Sequence, residues 1–128
     1  MTFSTAAAIF IGGGAGSVAR WMVGAWISRL TVFAPVGVLG ANILATTVLA
    51  LLVFVWGDKL SSDGVSNLWM PLLAVGFCGG FSTFSTFSLD TFKLIQDGNT
   101  VWAVANIVVS VVTCLGVIGI ISQAFGKS

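Results

Sequence analysis

The feature that most constrains this chain is a segment rich in glycine and hydroxyl side chains, Gly79–Ser88, inside a run without charge. The uncharged run, from Gly64 to Leu89, exceeds the roughly 20 apolar residues that cross a bilayer. Freed backbone groups find no water in lipid, so an irregular helix is tolerated there only where it is buried in protein or lines a cavity. The sequence therefore predicts a membrane helix that is split at Gly79-Gly80 and that contributes to a site.

Within that segment the triplet Phe-Ser-Thr repeats, which places phenylalanines at 81, 84 and 87. On a continuous helix this spacing puts Phe81, Phe84 and Phe87 in one slanted stripe beside stripes of hydroxyls. Aromatic ring edges carry the positive end of the ring quadrupole. Such a surface can coordinate a small anion without a formal positive charge. The alternative is ordinary helix packing, with Ser and Thr bonded to their own backbone.

The composition places the whole chain in a membrane. It has 128 residues, of which 57% are hydrophobic and 7% charged, whereas soluble domains carry about 25% charged residues. The charges fall mostly where apolar runs end. We expect one transmembrane domain over 1–128, with spans at about 5–27, 36–56, 69–95 and 101–125. The first run lacks the positive region of a secretory signal, so we expect it to be retained.

Several function classes are excluded by residues that are missing or isolated. The chain has no histidine, which excludes haem ligation by His and His-based acid–base chemistry. Cys78 and Cys114 lie in predicted spans without a Cys-x-x-Cys pair, so we interpret them as packing residues. No basic cluster predicts nucleic-acid binding. No nucleophile, base and orienting group occur as a set, so an enzyme is not expected.

The first span contains a glycine pattern that predicts close helix packing. Gly12 and Gly16 have the small-xxx-small spacing that lets two membrane helices approach closely. We therefore expect this face to pack against another helix. A phosphate-binding loop is the weaker interpretation, because no Lys-Ser/Thr follows and no strand precedes.

Two charged residues lie near the predicted ends of spans. Arg20 can extend to the membrane interface with its stem in lipid, or it can face an aqueous vestibule and attract anions. Asp90 can mark the interface, or it can pair with Arg20 or Lys93. The sequence leaves both alternatives open.

The second span carries one strongly polar side chain, Asn42, with Thr46 one turn further along the same face. A buried amide must find partners, so Asn42 either bridges two helices or donates to a species in a pore. The fourth span has Asn106, Ser110 and either Thr113 or Cys114 at helical spacing, which gives it a polar stripe.

The charges at the loops indicate an unusual topology. A polar loop over Gly57–Asn67 and a turn at Asp97-Gly98-Asn99 connect the later spans. With four spans, Lys59 and Lys127 fall on one side of the membrane. The other side receives three basic residues: Arg20, Arg29 and Lys93. The positive-inside rule gives no firm orientation for so even a distribution. We therefore predict insertion in both orientations and antiparallel pairing about a two-fold axis in the membrane plane.

Three motifs match one family of membrane proteins. Gly79–Phe87 fits a Gly-Gly-x-[Thr/Ser]-Thr-Phe-Ser-Thr-Phe pattern, and Gly37–Asn42 fits Gly-x-Leu-x-x-Asn. Gly12–Trp21 fits Gly-Gly-x-x-Gly-Ala-x-x-Arg-Tyr, with Ser17 and Trp21 in place of Ala and Tyr. On these motifs the chain resembles, over essentially its whole length, the small fluoride channels known as Fluc or CrcB proteins.

The resemblance implies an all-α membrane protein with four transmembrane helices per chain, the third broken, in a dual-topology antiparallel homodimer. It implies two fluoride pathways, passive export of fluoride that lowers its cytoplasmic level, and a location in the cell (inner) membrane. By the same resemblance a structural sodium ion at the dimer interface is held by the backbone carbonyls of Gly79 and Ser82, and Arg20 lies in the vestibule. The implied fluoride pathway consists of Asn42, Phe84, Phe87, Thr86 and Ser110.

The chain departs from the family pattern at three positions, and two other functions remain open. Asp90 replaces a common Glu, Asn106 occupies a position that can hold Tyr, and Cys114 one that can hold Ser. The main alternative is a small four-helix, dual-topology multidrug or cation exporter. It needs a carboxylate within the membrane, yet no Asp or Glu precedes Asp58. A structural subunit of a larger membrane complex is a third interpretation.

Overall fold

The protein is a bundle of helices in a computed structural model that describes residues 2–61 and 68–126. All regular elements in this part of the chain are helical. The bounds are α1 (Phe3–Ile27), α2 (Ala34–Phe54), α3 (Gly57–Ser61), a π-helical segment (Pro71–Cys78), α4 (Gly79–Phe81), α5 (Phe84–Gln96) and α6 (Thr100–Phe125). We call the π-helical segment and α4 together the first half-helix, and α5 the second half-helix.

Four helices in the described ranges are long and apolar enough to cross a membrane. They cover Phe3–Ile27, Pro35–Phe54, Pro71–Gln96 and Thr100–Phe125. The prediction of an all-α chain with four helices capable of spanning a membrane is confirmed.

The connection after α2 differs in part from its prediction. The loop expected from Gly57 begins instead with the short helix α3, whose first turn contains Asp58. An acidic side chain suits the positive end of the helix dipole there. The rest of that loop, including Asp63, lies outside the described residues, as does Lys127, which entered the prediction of orientation.

The glycines of α1 lie directly against the first half-helix. A Cβ atom at Gly12 would overlap the carbonyl oxygen of Leu72, and one at Gly16 would overlap that of Phe77. The space is therefore filled by the backbone of the neighbouring helix. The predicted packing face of the first span is confirmed, and its partner is the first half-helix.

The first half-helix also carries two glycines at this spacing, Gly76 and Gly80, on the side that meets α1. A Cβ atom at Gly76 would lie 2.8 Å from the carbonyl oxygen of Ile9, and one at Gly80 would overlap the carbonyl oxygen of Gly13. Two small-xxx-small pairs therefore face each other, one on each helix. Contacts of this kind are typical of helix association in lipid, because packing and not the hydrophobic effect drives it there.

Two extended residues separate the half-helices. Ser82 has φ −75° and ψ 155°, and Thr83 has φ −148° and ψ 116°, so neither continues α4. The sequence placed this interruption at Gly79-Gly80, and that position is wrong. Both glycines are helical, and the amide of Ser82 still bonds the carbonyl of Cys78 at 2.9 Å. Gly80 provides the close approach to α1 instead of ending the helix.

The interruption also divides the three phenylalanines. Phe81 is buried in a cluster with Ala41 and Ala45, and its ring stacks on that of Phe77 with centroids 5.8 Å apart. Phe84, beyond the extended residues, is 78% exposed in the single chain. The prediction of one continuous stripe is wrong, because the extended residues Ser82 and Thr83 interrupt the helical spacing between Phe81 and Phe84.

Helix α6 completes the bundle against α2 and α5. The turn before it contains Gly98 with φ +80°, a left-handed conformation that glycine adopts without strain. The predicted turn at this position is confirmed. At the start of α6 the ring of Trp102 meets the edge of Phe33 from the α2 N-cap, with centroids 5.8 Å apart.

Candidate functional site

The extended pair is held in place by a side chain from α2. The amide of Thr83 donates to Oδ1 of Asn42 at 2.8 Å, and Nδ2 of Asn42 donates to the carbonyl oxygen of Thr83 at 3.2 Å. We call these two bonds the Asn42 clamp. It pairs both backbone groups of a residue that no helix satisfies, and a buried backbone group left unpaired is costly. Of the two uses considered for Asn42, bridging two elements is therefore the one seen.

The hydroxyl of Thr83 caps the N-terminus of the second half-helix. Thr83 is 7% exposed, and its Oγ1 accepts a hydrogen bond from the amide of Thr86 at 3.2 Å, an N-cap interaction. The same hydroxyl donates to Oγ1 of Thr86 at 3.1 Å and lies 3.4 Å from Oγ of Ser85. A cluster of hydroxyls therefore surrounds the N-terminus of α5.

Four of the five predicted pathway residues line one cavity of about 270 Å³, which we call the phenylalanine cavity: Asn42, Phe84, Phe87 and Ser110. The rings of Phe84 and Phe87 have centroids 5.7 Å apart and planes tilted by 39°. None of the described residues that line this cavity carries a charge. It therefore offers an amide, hydroxyls and aromatic rings to an occupant.

Two residues of α6 in the same cavity, Ser110 and Cys114, are one helical turn apart. Ser110 is 7% exposed, and its Oγ has no hydrogen-bond partner among the described residues. A buried hydroxyl without a partner is costly unless the site receives a polar species. Of the two residues proposed for the end of the polar stripe, Cys114 faces this cavity.

The remaining pathway residue, Thr86, lies in a different and larger cavity. This cavity of about 550 Å³, the vestibule cavity, is lined by Arg20, Thr86 and Asp90 among others. Thr83 lines both the vestibule cavity and the phenylalanine cavity. The predicted vestibule and pathway residues therefore occupy two spaces that meet at Thr83.

Asp90 lies in the vestibule cavity without a strong ion pair. Its Oδ2 atom is buried and has no hydrogen-bond partner among the described residues, although Arg20 lines the same cavity. Asp90 was predicted to mark the interface or to pair with Arg20 or Lys93; neither basic residue bonds its buried Oδ2, and Asp90 instead lines the vestibule cavity.

A second polar contact fixes α5 further along its length. Nδ2 of Asn106 on α6 donates to Oγ1 of Thr91 at 2.9 Å, and that hydroxyl donates to the carbonyl oxygen of Phe87 at 2.8 Å. We call this the Asn106 bridge. It connects α6 to the backbone of a ring residue in the phenylalanine cavity. The side chain of Asn106 therefore bridges α6 and α5, instead of serving with Ser110 in the predicted polar stripe.

The residues predicted to hold sodium border a third space, the helix-break cavity of about 140 Å³. Gly79 and Ser82 line it together with Thr46 and Cys78. The amide of Ser82 bonds Cys78 and the amide of Thr83 bonds Asn42, so neither closes a helical bond onto the carbonyl of Gly79. Carbonyls at the end of a helix lack intrahelical partners. These acceptors fit a hard cation such as sodium, which takes oxygen ligands.

Sequence reasoning missed two residues of this arrangement, Thr83 and Thr91. Thr83 was one of several hydroxyls in the triplet repeat, and only the partner on α2 distinguishes it. An N-cap spacing, Thr83 followed three residues later by Thr86, was the one available signal. No sequence signal indicated Thr91, because its role depends on a contact with another helix.

Comparisons with known proteins identify the family to which the chain belongs. A family model described as "CrcB-like protein, Camphor Resistance (CrcB)" matches residues 7–121. A protein of Escherichia fergusonii named "Fluoride-specific ion channel FluC" is 41% identical over 103 residues, which cover 80% of this chain and 79% of that protein. Proteins of the same name from Salmonella arizonae and Salmonella newport are 40% identical over the same share of each chain.

Proposed function

Because the chain belongs to the CrcB family, we infer that it is a fluoride-specific ion channel and not an enzyme. It is a multi-pass membrane protein, with four helices capable of spanning the bilayer in its described part. A passive pathway in the cell (inner) membrane would let fluoride leave down its gradient and would lower the cytoplasmic concentration.

The observation that carries this function is the make-up of the phenylalanine cavity. Fluoride is small and strongly hydrated, so a pore must replace the donors of water without holding the ion too firmly. Asn42 uses one Nδ2 hydrogen in the clamp and an amide has a second, while the hydroxyl of Ser110 has no partner among the residues that the structure describes. Uncharged donors beside Phe84 and Phe87 suit that requirement better than a ring of cations.

The two cavities suggest the order of the pathway. Anions would collect in the vestibule cavity near Arg20 and pass the hydroxyls of Thr86 and Thr83. They would then enter the phenylalanine cavity, where Asn42 and Ser110 replace hydration water. Thr83 would connect the two parts of this pathway, because it lines both the vestibule cavity and the phenylalanine cavity.

We extend the proposal to a broken third transmembrane helix in a dual-topology antiparallel homodimer. The support is the surface of the second half-helix, on which Phe84, Ser85, Thr86 and Ser88 are exposed in the single chain. Hydroxyl groups and interrupted backbone are poorly suited to contact with lipid. A second copy in the opposite orientation would cover this surface and provide a second pathway.

The proposed structural sodium ion would lie at the centre of that dimer. The carbonyls of Gly79 and Ser82 would hold it, and the bonding of the Ser82 and Thr83 amides to acceptors other than the Gly79 carbonyl supports this assignment. A bound cation would neutralise carbonyl dipoles that the interruption leaves unpaired. The alternative function, a small multidrug or cation exporter, is not favoured, since the family is one of fluoride channels.

The experiment that tests the function is ion efflux from liposomes containing the purified protein. We expect a fluoride electrode to record rapid release, while a chloride electrode records none above protein-free vesicles. Comparable release of chloride would contradict the assignment. For the dimer, tags at the C-terminus should be accessible from both sides of the membrane, and tags found on one side alone would contradict dual topology.

A further inference from the structure

The two cysteines occupy different environments, and neither takes part in a disulfide. Cys78 is 3% exposed and borders the helix-break cavity. Cys114 is only partly buried and lines the phenylalanine cavity, one helical turn from Ser110. A small solute that enters the phenylalanine cavity would therefore meet one thiol and not the other.

A second observation indicates that this cavity receives polar solutes. Ser110 lines this cavity with Cys114 and is 7% exposed, and its buried Oγ has no partner in the described part of the chain. Buried hydroxyls are normally paired with protein or water. The unpaired donor indicates that water, an ion or another small polar molecule reaches the depth at which the thiol lies.

We propose that Cys114 is a covalent modification site within the anion pathway, open to small uncharged thiosulfonates, and that its modification stops fluoride flux. The claim on flux rests on the proposed channel function, whereas the claim on the site does not. Thiosulfonates are the class that fits, because their reaction needs a single accessible thiol and a small space. The described residues contain no group of three or more His, Cys, Asp or Glu that could hold a metal ion.

The reaction with methyl methanethiosulfonate defines the product. The sulfur of Cys114, as thiolate, attacks the sulfenyl sulfur of the reagent, and a disulfide bond forms to the methylthio group. The bond between that sulfur and the sulfonyl sulfur breaks, methanesulfinate leaves with the electron pair, and the thiol proton passes to water. The cavity of about 270 Å³ has room for the added group. The product removes a weak donor and narrows the space between Ser110 and the phenylalanine rings.

The test uses liposomes that contain the full-length protein or the variants Cys114→Ser and Cys78→Ala. Each sample is treated with methyl methanethiosulfonate and compared with its own untreated flux, and peptide mass spectrometry locates the adduct. We expect the wild-type adduct on Cys114 and flux reduced by roughly tenfold or more, with recovery after dithiothreitol. Cys78→Ala should respond like the wild type, and Cys114→Ser should not respond.

The two readouts separate failure of the site from failure of the function. An adduct on Cys78 alone, or on neither thiol until the protein is denatured, would overturn the site. Full modification of Cys114 with unchanged flux, or equal inhibition of Cys114→Ser, would overturn its effect on conduction. Untreated protein that passes no fluoride would refute the channel assignment, and the adduct measurement would still decide whether Cys114 is accessible.

Discussion

The two halves of the third span are held in the bundle by different means. The first half-helix lies against α1 through facing glycines, with backbone against backbone. The second half-helix is fixed at two points by polar side chains, the Asn42 clamp at its start and the Asn106 bridge further along. One half is positioned by close packing, and the other by a few directed hydrogen bonds.

The difference shows how one span can provide both an anchor and a site. Close packing leaves no space for an ion on the face of the first half-helix that meets α1, and Phe81 lies in the buried cluster. The end of the same half-helix, at Cys78 and Gly79, borders the helix-break cavity. Two hydrogen-bonded contacts leave most of α5 uncovered, including Phe84 and several hydroxyls. We therefore expect substitutions in the first half to change stability, and substitutions in the second to change flux.

The largest effect is expected where the glycines touch. Gly80→Ala would place a methyl group on the carbonyl of Gly13, and neither backbone can move without shifting a helix. We expect it to lower the free energy of unfolding by about 3 kcal/mol or more, measured by thermal denaturation in detergent. Gly14→Ala is the matched control, because its Cβ meets nothing within 4 Å. Equal stability of the two variants would contradict the close contact.

The Asn42 clamp should give the next largest effect, on stability and flux together. Asn42→Leu leaves the amide and the carbonyl of Thr83 unpaired, which costs about 2 kcal/mol and releases the N-terminus of α5. Thermal stability and fluoride efflux should both fall. Thr47→Val is the control on α2, since the Thr47 hydroxyl bonds its own helix, at the carbonyl of Ile43.

A charge variant sharpens the test of the clamp. Asn42→Asp retains an acceptor for the Thr83 amide but loses the donor and brings a negative charge into the phenylalanine cavity. We expect it to be more stable than Asn42→Leu and to conduct fluoride no better. Near wild-type flux in either variant would show that the amide is not part of the pathway.

Substitutions of the phenylalanines test whether the two half-helices have different roles. Phe84→Ile or Phe87→Ile should slow fluoride efflux by roughly tenfold or more, because an aliphatic side chain has no electropositive ring edge. Phe81→Leu should instead lower stability by about 1 kcal/mol and leave flux per folded protein unchanged. Normal conduction by both ring variants in α5 would contradict the pathway, and slow conduction by Phe81→Leu would contradict the division of roles.

The smallest effect is expected at the Asn106 bridge. Hydrogen bonds between membrane helices contribute about 0.6 kcal/mol on average, and Thr91→Val removes one. A double-mutant cycle with Asn106→Leu should show coupling of this size in thermal stability. Additive effects of the two substitutions would indicate that the contact does not form in the membrane.

Features that depend on local pattern were accessible from the sequence. The four apolar helices follow from composition, the packing face of α1 from the spacing of Gly12 and Gly16, and the turn from Gly98. The pathway residues came from the resemblance to the family, and the structure brings four of them to one cavity.

Features that depend on a partner helix were not accessible. The interruption lies at Ser82-Thr83 and not at the glycines, because the bond to Asn42 decides which residues leave the helix. Phe81 and Phe84 are each followed by Ser-Thr, yet one is buried and the other exposed on the two sides of the extended residues. Long-range pairing of polar groups, unlike periodicity, leaves no trace in a short stretch of sequence.

The Asn42 clamp also has a consequence for how the protein is made. The amide and carbonyl of Thr83 would meet hydrocarbon unpaired if the third span entered the bilayer alone, a costly state. Asn42 precedes Thr83 in the chain, so the ribosome synthesises Asn42 before the two backbone groups of Thr83 that it pairs. Biosynthesis in the opposite order, as in a circular permutant that begins with the third span, should therefore insert poorly.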